Sequence, residues 1–250
     1  MYLKVIACKA LFREITYYAS ISENVIDLTC LEWGLHDKVG GLHEALEAEI
    51  AAIDAGDDTH SSYPPYGRPF DGIVLAYGLC SNGIVGLTSS KYPLIIPRAH
   101  DCITLLLGSK ERYDELFKEA GGTYWYSPGW VENSPIPGQG RYQWMMDLYA
   151  DRYGEEEAEE MIELGEEWQN SYSRLGLINW PEFKERQFAQ MTRERAQESA
   201  KYAGWRFSEY EGDSTLVKDL IEGNWDNERF LVVPPGKAIK QDYGPGIIKY

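Results

Sequence analysis

Short, nearly continuous apolar runs alternate with amphipathic stretches through the first half of the chain. Leu3 to Cys8, Val25 to Leu31, Gly72 to Tyr77, Pro93 to Pro97 and Thr123 to Ser127 are rich in Ile, Val, Leu and aromatic residues. Runs of this length, most of them without strict alternation, predict strands buried on both faces of a parallel sheet. Between them, Arg13 to Ser20 reads as a helix. Leu42, Leu46, Ile50 and Ile53 recur at helical spacing, with Glu44, Glu47 and Glu49 on the other side, which is the signature of an amphipathic helix. Ile103 to Gly121 starts apolar and becomes amphipathic, a helix stopped at Gly121-Gly122. Asp57 to Pro69, built of Asp, Ser, Gly and proline, reads as a loop. Strand and helix taken in turn imply a parallel sheet covered by helices.

The pattern changes after Ser127. Ser134 to Gly138 (SPIPG) reads as a linker, and from Arg141 to about Ala203 the chain reads as helix after helix. Trp205 to Tyr210 then predicts a strand, Ser214 to Glu222 a helix stopped by Gly223, and Arg229 to Val233 a last strand. The expected fold is therefore α/β, a mostly parallel Rossmann-like sheet with a largely helical insertion before a C-terminal βα(β) unit. Residues 1–134 would form the core and carry the site. Residues 135–203 would be the insertion or lid, and residues 204–250 would rejoin the sheet.

Composition narrows the partners. A net charge of −16 argues against nucleic acid, whose phosphates require a basic stripe. No run approaches the roughly 18 apolar residues of a membrane span, and the N-terminus lacks the pattern of a signal peptide. The expectation is a cytoplasmic protein acting on a small molecule. In a reducing compartment its four cysteines, Cys8, Cys30, Cys80 and Cys102, are thiols or metal ligands rather than disulfides.

Cys8, Cys80 and Cys102 each fall at or just past the end of a separate predicted strand. If those strands are parallel, all three reach the carboxyl edge, where open α/β sheets place their chemistry. His36 and His100 fall at the same edge. Converging thiolates with a nearby imidazole are a donor set for zinc or an iron–sulfur cluster. The competing reading is that three small apolar residues are inert core; three separate strand ends favour a site. Cys30 lies inside a strand and reads as core. Three protein ligands leave one position open, the mark of a catalytic metal centre. His36 or His100 would then be the fourth ligand or an acid–base group, oriented by Asp37 or Asp101. Gly78, Asn82 and Gly83 flank Cys80 and offer backbone N–H groups to an anionic cofactor or substrate group. The P-loop reading fails because Ile84-Val85 stands where Lys-Ser/Thr is required. Arg98 is a candidate anchor for an acidic substrate or the member of a surface ion pair.

The segments VIACKALFREI, GLHD, YGLCSNGIVGL, IPRAHDCITLLLGS and YSPGW resemble the domain of unknown function 1638 family of anaerobic bacteria and methanogenic archaea. Members often accompany corrinoid proteins and corrinoid-dependent methyltransferases, so the resemblance implies one-carbon metabolism. It places the family's cysteines at Cys8, Cys80 and Cys102 and its histidines at His36 and His100, and names no reaction. The leading expectation is a metal-dependent enzyme of the methyl-transfer or lyase/desulfurase type, acting on a small anionic or methylated substrate. One alternative is a non-catalytic accessory protein that binds a corrinoid protein or methyltransferase, a corrinoid cofactor entering only through that partner. A metal-free cysteine hydrolase using Cys80 is the third.

Overall fold

The computed structural model describes residues 1–57 and 69–250. Most of the loop expected over Asp57 to Pro69 lies outside the described residues. The chain is α/β and folds as two compact units, one of Met1–Tyr113 with Asp213–Tyr250, the other of Asp114–Gly212. Among the described residues no helix is long and apolar enough to cross a membrane.

The first unit is built on β1 (Tyr2–Cys8), β2 (Val25–Leu31), β3 (Gly72–Ala76), β4 (Leu94–Pro97) and β8 (Phe230–Val233), in the order β2-β1-β3-β4-β8. The first four are mutually parallel, and β8 closes the edge antiparallel to β4. β3 and β4 are buried at every position, as central strands covered on both faces must be. Helix α2 (Gly41–Ala55) buries Leu42, Leu46, Ile50 and Ile53, and these pack with Ile6, Ile73, Leu75, Leu94 and Ile96 into one core. The other face is covered by α1 (Phe12–Ile21), α3 (Cys102–Leu107) and α9 (Thr215–Glu222), with α9 packing against both α1 and α3. Lys4 on β1 and Glu14 on α1 are charged residues buried here. Lys4 is 0% exposed and stands opposite Asp27 on β2, its Nζ donating to Asp27 Oδ1 at 2.9 Å. Unpaired, that ammonium would cost several kcal/mol.

The helix expected over Ile103 to Gly121 is two helices, α3 and α4 (Lys110–Glu119). Gly108 separates them in the left-handed region at φ +83°, and a Cβ there would lie 2.6 Å from Asp213 Cβ. The turn therefore needs glycine.

The second unit corrects the reading of residues 141–203 as helix after helix. Arg174–Asn179 is a strand, β6, between β5 (Thr123–Tyr126) and β7 (Arg206–Glu211) in a separate parallel sheet ordered β5-β6-β7. The helices α5 (Pro128–Asn133), α6 (Gln139–Tyr153), α7 (Glu155–Glu166) and α8 (Gln187–Tyr202) complete it. Thr123–Tyr126 and Arg206–Glu211 thus belong to this sheet rather than to the main one, and of the C-terminal βα(β) segment only β8 rejoins the main sheet. The reason lies in aromatic packing. Tyr124 meets Trp168, Tyr172 and Trp205 at ring centroid separations of 5.1, 5.0 and 5.7 Å, a core large enough to sustain its own sheet. A Cβ at Gly176 on β6 would lie 2.6 Å from the Trp125 ring, so glycine in the central strand makes room for that indole.

Candidate functional site

In the order β2-β1-β3-β4, chain connections leave β1 and β3 in opposite directions, which opens a crevice at their carboxyl ends. Cys8 is the last residue of β1. It shares a face with Ile6, and with Cys80 it packs against the core beneath α2. Ala7 pairs with Ala76 at the end of β3, so the residue after it, Tyr77, lies alongside Cys8 and on the same face.

Cys80 is delivered by an extension of the β3 and β4 pairing. The Leu79 N–H donates to Ala99 O at 2.8 Å and the Cys80 N–H to His100 O at 2.9 Å. Gly78 is required for this approach, since a Cβ would come within 2.6 Å of the Asp101 amide nitrogen. The chain then turns through Cys80, Ser81 and Asn82 at φ of +45°, +56° and +65°, and the Gly83 N–H closes the turn on Cys80 O at 3.0 Å. Three successive non-glycine residues in the left-handed region cost about 1–2 kcal/mol each, and such outliers gather at functional sites. Gly83 packs against Leu42, where a Cβ would lie 2.6 Å from Leu42 Cδ2. Gly78 and Gly83 are therefore explained by packing, whereas Asn82 is exposed.

Cys102 opens α3, capped by Asp101, whose carboxylate accepts from the N–H groups of Ile103 (3.0 Å) and Thr104 (3.3 Å) and from Tyr113 Oη (3.0 Å). Asp101 is thus a helix cap and not the orienting partner of His100. Asp37 does stand beside His36, Oδ1 to Nε2 at 3.3 Å, within the short turn Leu35–Asp37. His100 is exposed, and among the described residues neither imidazole hydrogen-bonds to a cysteine. Arg98 is committed to main-chain carbonyls: Nε donates to Asn227 (3.0 Å) and Phe230 (3.2 Å), and Nη1 to Gly246 (2.8 Å) and Ile248 (2.5 Å).

All four cysteines are free and partly buried. Burial pushes each thiol up, to about 12 for Cys80 and about 11 for Cys30. For Cys80 and Cys102 the Asp101 carboxylate pushes further, and the thiols then oppose one another's ionisation, Cys8 acting on Cys30, Cys80 and Cys102. That mutual influence puts Cys30, read from sequence as core, in the field of the same group. Tyr77, passed over in the sequence as the end of an apolar run, is raised by burial and then by all four thiols. Its hydroxyl is buried and has no hydrogen-bond partner among the described residues.

The edge therefore carries partly buried thiols whose ionisation is disfavoured. A bare nucleophile requires a depressed pKa and a neighbouring base, and Cys80 has neither. Among the described residues no three His, Cys, Asp or Glu side chains stand in a geometry that holds a metal ion. The donor set itself, soft sulfur from three neighbouring strand ends beside an orphaned buried hydroxyl, is of the kind that zinc and iron–sulfur clusters take.

The family model described as Protein of unknown function (DUF1638) matches residues 30–221, well over half of the chain. The chain belongs to the DUF1638 family. The matched span includes Cys30, His36, Cys80, His100 and Cys102 and the whole of the second unit, and Cys8 precedes it. No curated protein and no solved structure matches this DUF1638 chain.

Proposed function

We propose that this DUF1638 protein is a metal-dependent enzyme whose centre, zinc or an iron–sulfur cluster, is held at the carboxyl edge of the main sheet by Cys8, Cys80 and Cys102. The observation that carries this reading is the gathering of those cysteines from three adjacent parallel strand ends at the point where strand order reverses. The raised thiol pKa values support it, because burial that disfavours a bare thiolate is offset when a cation binds it. Bound there, the group would supply Lewis-acid activation of a small anionic or methylated substrate, in a reducing cytoplasm and in one-carbon metabolism. His36, held by Asp37, is the better placed acid–base candidate, since His100 has no orienting partner.

Anaerobic purification followed by iron, sulfide, zinc and cobalt analysis with a visible spectrum tests the reading. About one zinc ion or one cluster per chain is expected, absent from a Cys80→Ser, Cys102→Ser double variant. Full metal content and activity in that variant, or no metal bound after reconstitution, would overturn it.

A second reading, docking to a corrinoid protein or methyltransferase, is favoured by the exposed apolar residues of α6 and α7: Trp144 at 56%, Leu148 at 53% and Leu164 at 69% exposed. It predicts that Trp144→Ala with Leu148→Ala weakens that association and leaves metal content intact, measured by co-sedimentation.

A further inference from the structure

Tyr77 is a side chain at the cysteine edge whose chemistry is left open. It is 3% exposed, stands at the end of β3 alongside Cys8, and carries a buried hydroxyl with no partner. An unmade buried hydrogen bond destabilises the fold, so native chains satisfy nearly all such groups. Here phenylalanine would fill the same space at no such cost. None of the four sulfurs accepts or donates a hydrogen bond with it, although hydrogen bonds to sulfur reach farther than those to oxygen. The partner of the hydroxyl is therefore absent from the described residues. A contrast lies in the second unit, where the equally buried Tyr126 places its hydroxyl 3.4 Å from Ser199 Oγ.

We propose that Tyr77 is a ligand-binding residue, its O–H donating to an oxygen of the substrate, and that the substrate class is a small carboxylate rather than a methylated sulfur compound. This rests on the metal-centre reading and deepens it. A phenol donates well to a carboxylate oxygen and poorly to a thioether, whose sulfur is a weak acceptor. The protein therefore keeps an unsatisfied donor when empty and recovers its hydrogen bond when occupied.

The test uses the full chain loaded with Co²⁺, whose thiolate charge-transfer absorption reports the centre, with acetate and dimethyl sulfide as probes. Acetate is expected to perturb the spectrum of the wild type and to bind about tenfold more weakly to Tyr77→Phe, while dimethyl sulfide does not distinguish the two. The metal-free Tyr77→Phe protein is expected to melt no lower than wild type, whereas Tyr126→Phe melts lower. Equal acetate binding by wild type and Tyr77→Phe, a response to dimethyl sulfide alone, or a lower melting point for metal-free Tyr77→Phe overturns the assignment and leaves the metal centre standing. Absence of the thiolate absorption in the wild type overturns the metal-centre reading, and the assignment to Tyr77 with it.

Discussion

The chain builds two parallel sheets whose carboxyl edges end differently. In the second unit the order β5-β6-β7 runs without reversal, and the chain packs over much of each strand end, leaving a cavity of about 220 Å³ beside Asn179, Trp180 and Glu211. Ser127 after β5 caps α5, accepting from the Trp130 N–H at 3.3 Å; Trp180 after β6 is 1% exposed and stacks on Phe183; the Gly212 N–H after β7 returns to Asn179 O at 2.9 Å. In the first unit the order reverses between β1 and β3, and the ends carry thiols, a strained turn and an orphaned hydroxyl. Parallel pairing alone does not make a site. The reversal opens a crevice, and the buried Tyr77 hydroxyl left there has no hydrogen-bond partner among the described residues.

The largest expected effect separates the two edges outright. The Cys80→Ser, Cys102→Ser double variant should fall from about one ion or cluster per chain to near none, while Ser127→Ala at the second edge, which removes a cap for about 1 kcal/mol, leaves metal content unchanged. Elemental analysis of both proteins checks this. Next comes Trp180→Ala, which deletes a fully buried indole. Urea denaturation should show a loss of about 3–5 kcal/mol, with unaltered metal per folded chain. A loss of metal on that substitution would break the contrast between the edges.

Much of the first edge was legible in the sequence because it is spelled by position. A cysteine at the end of an apolar run stays at a strand end whatever packs around it, so Cys8, Cys80 and Cys102 and the α/β class could be read directly. Roles that depend on neighbours could not. Asp101 adjoins both His100 and Cys102 in sequence, yet its carboxylate turns forward to cap α3. Arg98 reads as an anion anchor until the carbonyls of Gly246 and Ile248, far along the chain, are seen on its guanidinium. Tyr77 looks like one more apolar residue, and only its buried hydroxyl, without a hydrogen-bond partner among the described residues, sets it apart. The second sheet was hidden for another reason. Arg174–Asn179 is a short apolar run set among charged helices, and such runs carry no period that tells strand from helix. The aromatic cluster around Tyr124 decides it.

Arg98→Ala sharpens the reading of the first edge. With four carbonyls losing one charged donor, urea denaturation should show about 2 kcal/mol of destabilisation, and acetate binding to the Co²⁺ protein should persist. Weakened acetate binding without loss of stability would return Arg98 to the substrate.

The smallest expected effect on stability comes from Asp101→Asn, and it isolates one electrostatic cause. Asparagine caps a helix about as well as aspartate, so α3 should survive at a cost of only a few tenths of a kcal/mol. The negative charge that raises Cys80 and Cys102 is removed, however. Alkylation of Cys80 by iodoacetamide, followed by mass spectrometry against pH, should rise toward about 12 in the metal-free wild type and at lower pH in Asp101→Asn. The sign for stability follows from the same shift. A thiol whose folded pKa lies above its unfolded value favours the folded state fully below the ordinary thiol pKa of about 8.5, and this contribution is lost as pH rises through the folded value. The metal-free wild type should therefore weaken between about pH 8.5 and about pH 12, and Asp101→Asn should weaken less over that window. Metal reverses the sign, because it binds the thiolate and releases the proton: loaded protein should gain stability as pH rises toward neutrality. If loaded and metal-free proteins show the same pH dependence, the thiols are not ligands, and the two edges differ only in what fills them.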